Sequence, residues 1–427
     1  MKWFLPVLAS IVAVIAVAAI VINSGEGEEK NEQFDTPVQE PSGINRFSWD
    51  VFDTQGDTNI FYSPYGLYTA LGMLLNGAEP DSLTEKELLR VLHARDKLSV
   101  NDGVSTINSL LTKDTKYKFS SSDMILVDKT YVANKTINED FKKIIEEVYD
   151  GSVDKVDIAN DAASVREMIK KWVDEKTNGF IPDYESILDN STLVDILNVV
   201  YFKGGWEYPF DPQFTFERSF TNSDGSVSST DMMYKKFSAG SIGYYADDKY
   251  KGISLPYVSE GGVALSMVIV LPKYGSLDIK EKWSSETIEY RESFMEKVRN
   301  GNAGNSKIDV VLPKLEMELS YDLKEVFSAL GMNISMSNAA EFTDIIDGEY
   351  LKVSDGKHQA KVKVDEKGTE AAAVTEIVLK NTAFIDTEPL VYFHCDIPFV
   401  FTITEEQYGT DLFAGYVSYF DSEDSKE

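Results

Sequence analysis

Side chains suited to chemistry are scarce in this chain: 427 residues carry three histidines and one cysteine. His93, His358 and His394 lie far apart, although His394 adjoins Cys395. Neighbours on a strand face opposite ways, so those two cannot act there as nucleophile and base. The sequence has no H-E-x-x-H, P-loop, G-x-S-x-G or paired C-x-x-C pattern. Metal and nucleotide chemistry have little to stand on, so no metal site and no cofactor are expected. Without a catalytic constellation the chain is not expected to be an enzyme. The single cysteine also excludes an intrachain disulfide.

A different chemistry is suggested by residues 366–383, EKGTEAAAVTEIVLKNTA. On a strand, alternate side chains point to opposite faces. The odd positions carry Thr369, Ala371, Ala373, Thr375, Ile377 and Leu379, all uncharged. The even positions carry Glu366, Gly368, Glu370, Ala372, Val374, Glu376, Val378 and Lys380. Apart from Lys367, every charge falls on one face, as on a half-buried strand. Yet the segment opens with Gly368, is dominated by small residues and ends in the polar Lys380-Asn381-Thr382-Ala383. Those are features of an exposed loop. Three adjacent alanines also suit a short helix. Strand, loop and helix all stay open on pattern alone.

The elements that must position this segment come from the rest of the chain. A hydrophobic content of 43 % fits a folded globular protein. A net charge of −30 with no basic patch argues against nucleic acid as a partner. Residues 3–22 form an apolar run interrupted only by Pro6 and Ser10. The run has about the length that spans a bilayer, and exceeds the ~7–15 residues of a signal-peptide core. Lys2 before it, and Glu26, Glu28 and Glu29 after it, orient the remainder outward. Ala16-Val17-Ala18 offers a cleavage site. Residues 1–22 therefore read as a removed signal peptide or an uncleaved membrane anchor. Either places the protein outside the cell, secreted or held on the outer face of the membrane. Residues 23–43 read as a disordered acidic linker, 44–420 as the folded body and 421–427 as an acidic tail.

Within the body, Ser63 and Pro64 suit the cap and first turn of a helix carrying Leu67, Ala70, Leu71 and Leu74. A second helix is expected at 84–93. Phe141, Ile144, Ile145 and Val148 make an amphipathic stripe, as do Val165, Met168, Ile169, Trp172 and Val173. Residues 193–202 read as a strand covered on both faces, with Asn198 in its middle. A buried asparagine must find a hydrogen-bond partner. Strands follow at 263–271, 308–312, 360–364, 390–394, 397–404 and 412–420, with one helix at 321–330 stopping at Gly331. Helices first and strands later give an α+β architecture.

Six motifs in order resemble the serpin family. They are NIFYSPYGLYTALGMLLNGA, NVVYFKGGWEYPF, SLPYVSEGGVALSMVIVLP, LPKLEMELSYDLKEVFSALGM, DEKGTEAAAVTE and DIPFVFTI. The resemblance covers residues 44–420. It implies a serpin-like fold of three β-sheets covered by about eight or nine helices. It also implies an exposed reactive-centre loop at about 366–390, bait for a serine endopeptidase, which the chain, as a monomer, would trap irreversibly as an acyl-enzyme. The cleaved loop would insert into the main sheet as a new strand. Loop insertion in serpins is a well-known case of stored strain being released.

The resemblance assigns further roles. Glu366, Gly368, Thr369, Glu370, Ala371, Ala372 and Ala373 would form the hinge, and Trp206 the breach where the loop enters. Ser63, Asn198 and His358 would form a polar shutter near the centre of the sheet. The family usually has a second small hydroxyl three residues after Ser63; here it is Gly66, which implies a thinner network. Spacing from Glu366 places the reactive bond at Thr382–Ala383, suited to an elastase- or subtilisin-like protease. Lys380–Asn381 is the alternative reactive bond and would suit a trypsin-like one. Two other functions fit the resemblance: a non-inhibitory binding or carrier serpin, and an inhibitor of cysteine proteases. The uncharged odd face favours inhibition, because a proline or buried charge there would spoil insertion.

Overall fold

The computed structural model describes residues 43–369 and 389–420. They belong to one compact unit, Gln39–Glu427. Among the described residues are ten α-helices, one short 3-10 helix and sixteen strands in three sheets. The α+β architecture matches the sequence reading. The helices exceed the expected eight or nine because several are short: Lys129–Val132, Ile279–Ser285 and Leu323–Ala329 each make two turns or fewer.

The central sheet has six strands in the order Ile60–Tyr62, Asp411–Val417, Phe399–Glu405, Leu265–Pro272, Tyr250–Pro256 and Gly243–Ala246. Leu265–Pro272, Phe399–Glu405 and Asp411–Val417 are buried at every position. A strand covered on both faces needs mostly apolar side chains, which these runs supply. A second sheet has four strands, Leu390–His394, Lys307–Pro313, Val227–Phe237 and Thr215–Thr221.

The main sheet runs Leu315–Asp322, Asp355–Asp365, Gly368–Thr369, Val194–Gly205, Lys118–Asp128 and Ser152–Val156. Helix Pro64–Gly77 is buried along its whole length, between the main sheet and the central one. The Ser63 hydroxyl caps it by accepting from the Gly66 amide, and Pro64 fills its first turn. Opposite, helix Ile158–Lys176 lies on the main sheet through Val165, Ile169 and Val173. Its stripe is narrower than the sequence suggests. Met168 is 39 % exposed, because the helix meets the sheet along one side only.

Lys118–Asp128 escapes hydrophobic periodicity. Its start is interrupted by Ser120, Ser121, Ser122 and Asp123, yet Ser122 and Asp123 are buried. Helix Leu323–Ala329 stops before Gly331, which takes a φ of 78°, as expected of a C-terminal glycine. Among the described residues no helix is long and apolar enough to cross a membrane; residues 3–22 lie outside them.

Candidate functional site

The site is a parting in the main sheet. Val194–Gly205 and Asp355–Asp365 run parallel and pair directly from Asp195↔Asp355 to Val199↔Gln359. Beyond that point their mutual pairing stops. At the far end the two-residue strand Gly368–Thr369 lies between them. It pairs antiparallel with Gly205 and Gly204 on one side and with Asp365 and Val364 on the other. Between the direct pairing and this wedge, at residues 200–203 and 360–363, the two strands part until a whole strand fits between them.

The wedge fits because glycine meets glycine where it enters, Gly368 against Gly204 and Gly205. Gly368 has a φ of 153°, and a Cβ there would lie 2.1 Å from the Gly204 carbonyl oxygen and 2.7 Å from the Gly205 Cα. Only glycine combines that conformation with that approach. The Trp206 amide donates to the Lys367 carbonyl at 2.8 Å, and its indole Nε1 donates to the Asp365 carbonyl at 3.0 Å. The Trp206 ring stacks on Tyr257 at 4.6 Å, and the Tyr257 hydroxyl meets the Thr369 hydroxyl at 2.6 Å. Thr369 is 2 % exposed, so this threonine already occupies the interior.

Glu366 is anchored sideways. It accepts from the Thr215 hydroxyl at 2.7 Å and pairs with Lys314 at 3.4 Å. Burial pushes its carboxyl up, but the Thr215 bond and then Lys314 outweigh that, and the net direction is down.

Half-way down the sheet the closure is made by side chains. The Ser63 amide donates to His358 Nε2 at 3.0 Å, and His358 Nδ1 lies 2.7 Å from Asn198 Oδ1. Because Nε2 must accept from an amide, the proton sits on Nδ1, which donates to Asn198. Burial of this fully enclosed ring pushes its pKa down to about 3, so it stays neutral. Asn198 Nδ2 donates to Asp123 Oδ1 at 2.8 Å, and the Thr69 hydroxyl lies 2.9 Å from Asp123 Oδ2. The Ser63 hydroxyl donates to the Leu412 carbonyl at 2.7 Å. Helix, sheet and central hairpin are thereby joined by one buried network.

Comparison with known proteins decides what this arrangement is. The profile of the serpins (serine protease inhibitors) matches residues 42–419. The chain belongs to the serpin family. It is similar to a serpin-like protein of Thermococcus kodakarensis, 32 % identical over 397 residues, covering 91 % of this chain and 86 % of that one. It is also similar to the leukocyte elastase inhibitor of Bos taurus, 30 % identical over 386 residues, covering 87 % and 97 %. Among solved structures, Serpin48 of the insect Tenebrio molitor, described as highly specific, superposes with a TM-score of 0.74 at 28 % identity, covering 89 % and 98 %.

Of the residues singled out from the sequence, this serpin brings Ser63, Asn198 and His358 together in the middle of the sheet. It gathers Trp206, Glu366, Gly368 and Thr369 at the upper crossing. Glu370, Ala371, Ala372, Ala373, Lys380, Asn381, Thr382 and Ala383 lie outside the described residues. The network is not thinner for the loss of a hydroxyl at Gly66. A Cβ there would lie 2.5 Å from both Asn198 Oδ1 and Val200 Cγ2, so the missing side chain is what admits Asn198.

Sequence reasoning missed Asp123, Thr69, Tyr257, Thr215 and Lys314. The available signal was the buried Asn198, which had to have partners on neighbouring elements. His394 bonds Asp309 at 2.9 Å, while Cys395 is buried with its thiol pushed up by desolvation, so the adjacent pair does not interact as nucleophile and base. Among the described residues no group of acidic, histidine or cysteine side chains could hold a metal ion.

Proposed function

We propose that this serpin is an irreversible, suicide-substrate inhibitor of serine proteases and not itself an enzyme. The protease serine attacks the carbonyl carbon of Thr382, the bond to Ala383 breaks, and Ala383 leaves as a new amino terminus. The resulting ester is trapped when the loop enters the main sheet, before water can hydrolyse it. The observation that carries the reading is the wedge: Gly368–Thr369 already lies as a short extra strand between two strands that pair directly only from Asp195↔Asp355 to Val199↔Gln359.

Continuing the wedge's register is informative. Thr369 faces Gly204 and Val364, so Ala371 would face Phe202 and Val362. Ala373 would face Val200 and Ala360, and Thr375 would arrive between Asn198 and His358. The odd face of the loop would thus meet an apolar row, and its second threonine would reach the polar network. Burying Ile377 and Leu379 would contribute roughly 1.5–3 kcal/mol each. Some ten new ladder hydrogen bonds at about 0.5–1.5 kcal/mol each would add ~5–15 kcal/mol. That is comparable with the stability of a whole domain, so the intact form is held kinetically.

The small Thr382 suits an elastase- or subtilisin-like target, a reading supported by the similarity to an elastase inhibitor. The protein acts as an extracellular monomer, with residues 3–22 as its removed signal or its membrane anchor. The test is to incubate it with elastase, subtilisin and trypsin and follow denaturing gels. An SDS-stable complex and a released peptide beginning at Ala383 are expected. A peptide beginning at Asn381 would move the reactive bond. Clean cleavage without a complex, and without a gain in thermal stability, would overturn inhibition in favour of a binding role.

A further inference from the structure

The network contains one carboxyl whose hydrogen-bond partners point to its protonation state. The Thr69 hydroxyl lies 2.8 Å from the Gly66 carbonyl oxygen and 2.9 Å from Asp123 Oδ2. It owns one hydrogen. A carbonyl can only accept, so when that hydrogen goes to Gly66 the second contact needs a hydrogen from Asp123. With it in place every bond runs one way round a closed circuit. Ser63 N–H donates to His358, His358 Nδ1–H to Asn198, Asn198 Nδ2–H to Asp123, Asp123 Oδ2–H to Thr69, and Thr69 to the Gly66 carbonyl. The Gly66 amide returns to the Ser63 hydroxyl at 3.0 Å. We propose that Asp123 carries a proton in the closed sheet and acts as a pH-dependent latch, holding the two central strands together in acid and loosening them in alkali.

The surroundings agree. Asp123 is 1 % exposed. Helix Pro64–Gly77 presents Thr69 and Tyr65 to it, helix Glu139–Tyr149 presents Tyr149, and Val194–Gly205 presents Asn198. Gly151, before strand Ser152–Val156, approaches only its backbone oxygen. His358 faces it through Asn198. Burial keeps both tyrosines protonated and His358 neutral, so no cation balances an ionised Asp123. Desolvation pushes its carboxyl up to about 7, with the bond from Asn198 offsetting part. The sign follows. A folded-state pKa above the ordinary value gives stability that is complete below that ordinary value and lost as pH rises through about 7.

Opening the sheet at Asn198 and His358 breaks the circuit, because these residues face each other within the direct pairing. The consequence for loop insertion rests on the proposed inhibitory reading; the latch itself does not. The test adds a synthetic peptide of residues 369–380 to the full chain in detergent and measures its annealing at about pH 5.5 and about pH 8.5. Urea-unfolding rates are read under the same conditions.

Both processes should run roughly tenfold faster at the higher pH, from the loss of the Asp123 proton. Asp123→Asn is isosteric with the protonated acid, accepting from Asn198 and donating to Thr69. It should be slow at both pH values, while Asp123→Ala should be fast at both. Equal wild-type rates at the two pH values, faster opening in acid, or an unchanged slope in Asp123→Asn would each overturn the latch. If the peptide fails to anneal, the unfolding rates decide alone. Absence of any protease complex at either pH would sink the inhibitory reading and leave the latch standing.

Discussion

The upper crossing and the middle of the main sheet close the same two strands by opposite means. At the crossing the strands are held apart, and the wedge between them is secured mostly by backbone groups and a Trp206–Tyr257 stack. In the middle they are held together, and side chains from four separate segments make the closure. The crossing tolerates an incoming strand because glycines leave room for it. The middle resists one because every polar group there is already bonded and would be stranded by opening. The difference teaches that the fold already holds two residues of an extra strand at the crossing, while further parting of the sheet is opposed by the buried bonds in the middle.

The comparison can be broken from either end. The largest effect is expected from Thr369→Arg, which forces a charge into the buried crossing. The stable protease complex should fall by at least about tenfold while cleavage continues, as read on denaturing gels. Trapping at the wild-type level would remove the wedge from the mechanism. Next is His358→Ala, which strands the Ser63 amide and Asn198 Oδ1. Each stranded group costs about 1–3 kcal/mol, so the intact form should melt several degrees lower.

Gly66→Ala should cost about 1–3 kcal/mol by expelling the Asn198 amide, a loss that chemical denaturation would register. Tyr257→Phe removes one bond to Thr369 and should cost only about 0.5–1.5 kcal/mol. A cost as large as that of His358→Ala would mean that the crossing gates the sheet as strongly as the middle does. The smallest effect belongs to the Glu366–Lys314 pair, half open to solvent and worth up to about 1 kcal/mol. Its sign is opposite to that of Asp123. The Glu366 carboxyl is held down, so its contribution is present above the ordinary glutamate range and lost as pH falls through its own depressed value. Melting curves of Lys314→Ala should therefore converge on wild type in acid.

Much of the frame is legible in the sequence. Predominantly apolar runs such as Leu265–Pro272 declare a strand covered on both faces, and Ser63-Pro64 marks a helix start. The parity of residues 366–383 is visible because spacing is a local property. What stays hidden depends on elements remote in sequence. Asp123 sits in a stretch of serines that reads as solvent-facing, and only its place opposite Asn198 makes it part of the core. Thr69 looks like one more residue of an apolar helix. Gly66 reads as a lost hydroxyl, and only the packing reveals it as the space that Asn198 fills.

The bond from Ser63 to Leu412 joins residues 349 positions apart. Strand Ile60–Tyr62, just before it, likewise pairs with Asp411–Val417 near the other end of the chain. At roughly 5–20 residues per second, synthesis separates these partners by about 20–70 s. Throughout that interval the helix cap and the first strand exist without their final neighbours, and the central hairpin that backs the network has not been made. Residues 366–388 are translated before the hairpin that completes the network behind the main sheet. For this chain the order of manufacture is therefore part of the problem of reaching the intact state, and the last strands to emerge are the ones that close it.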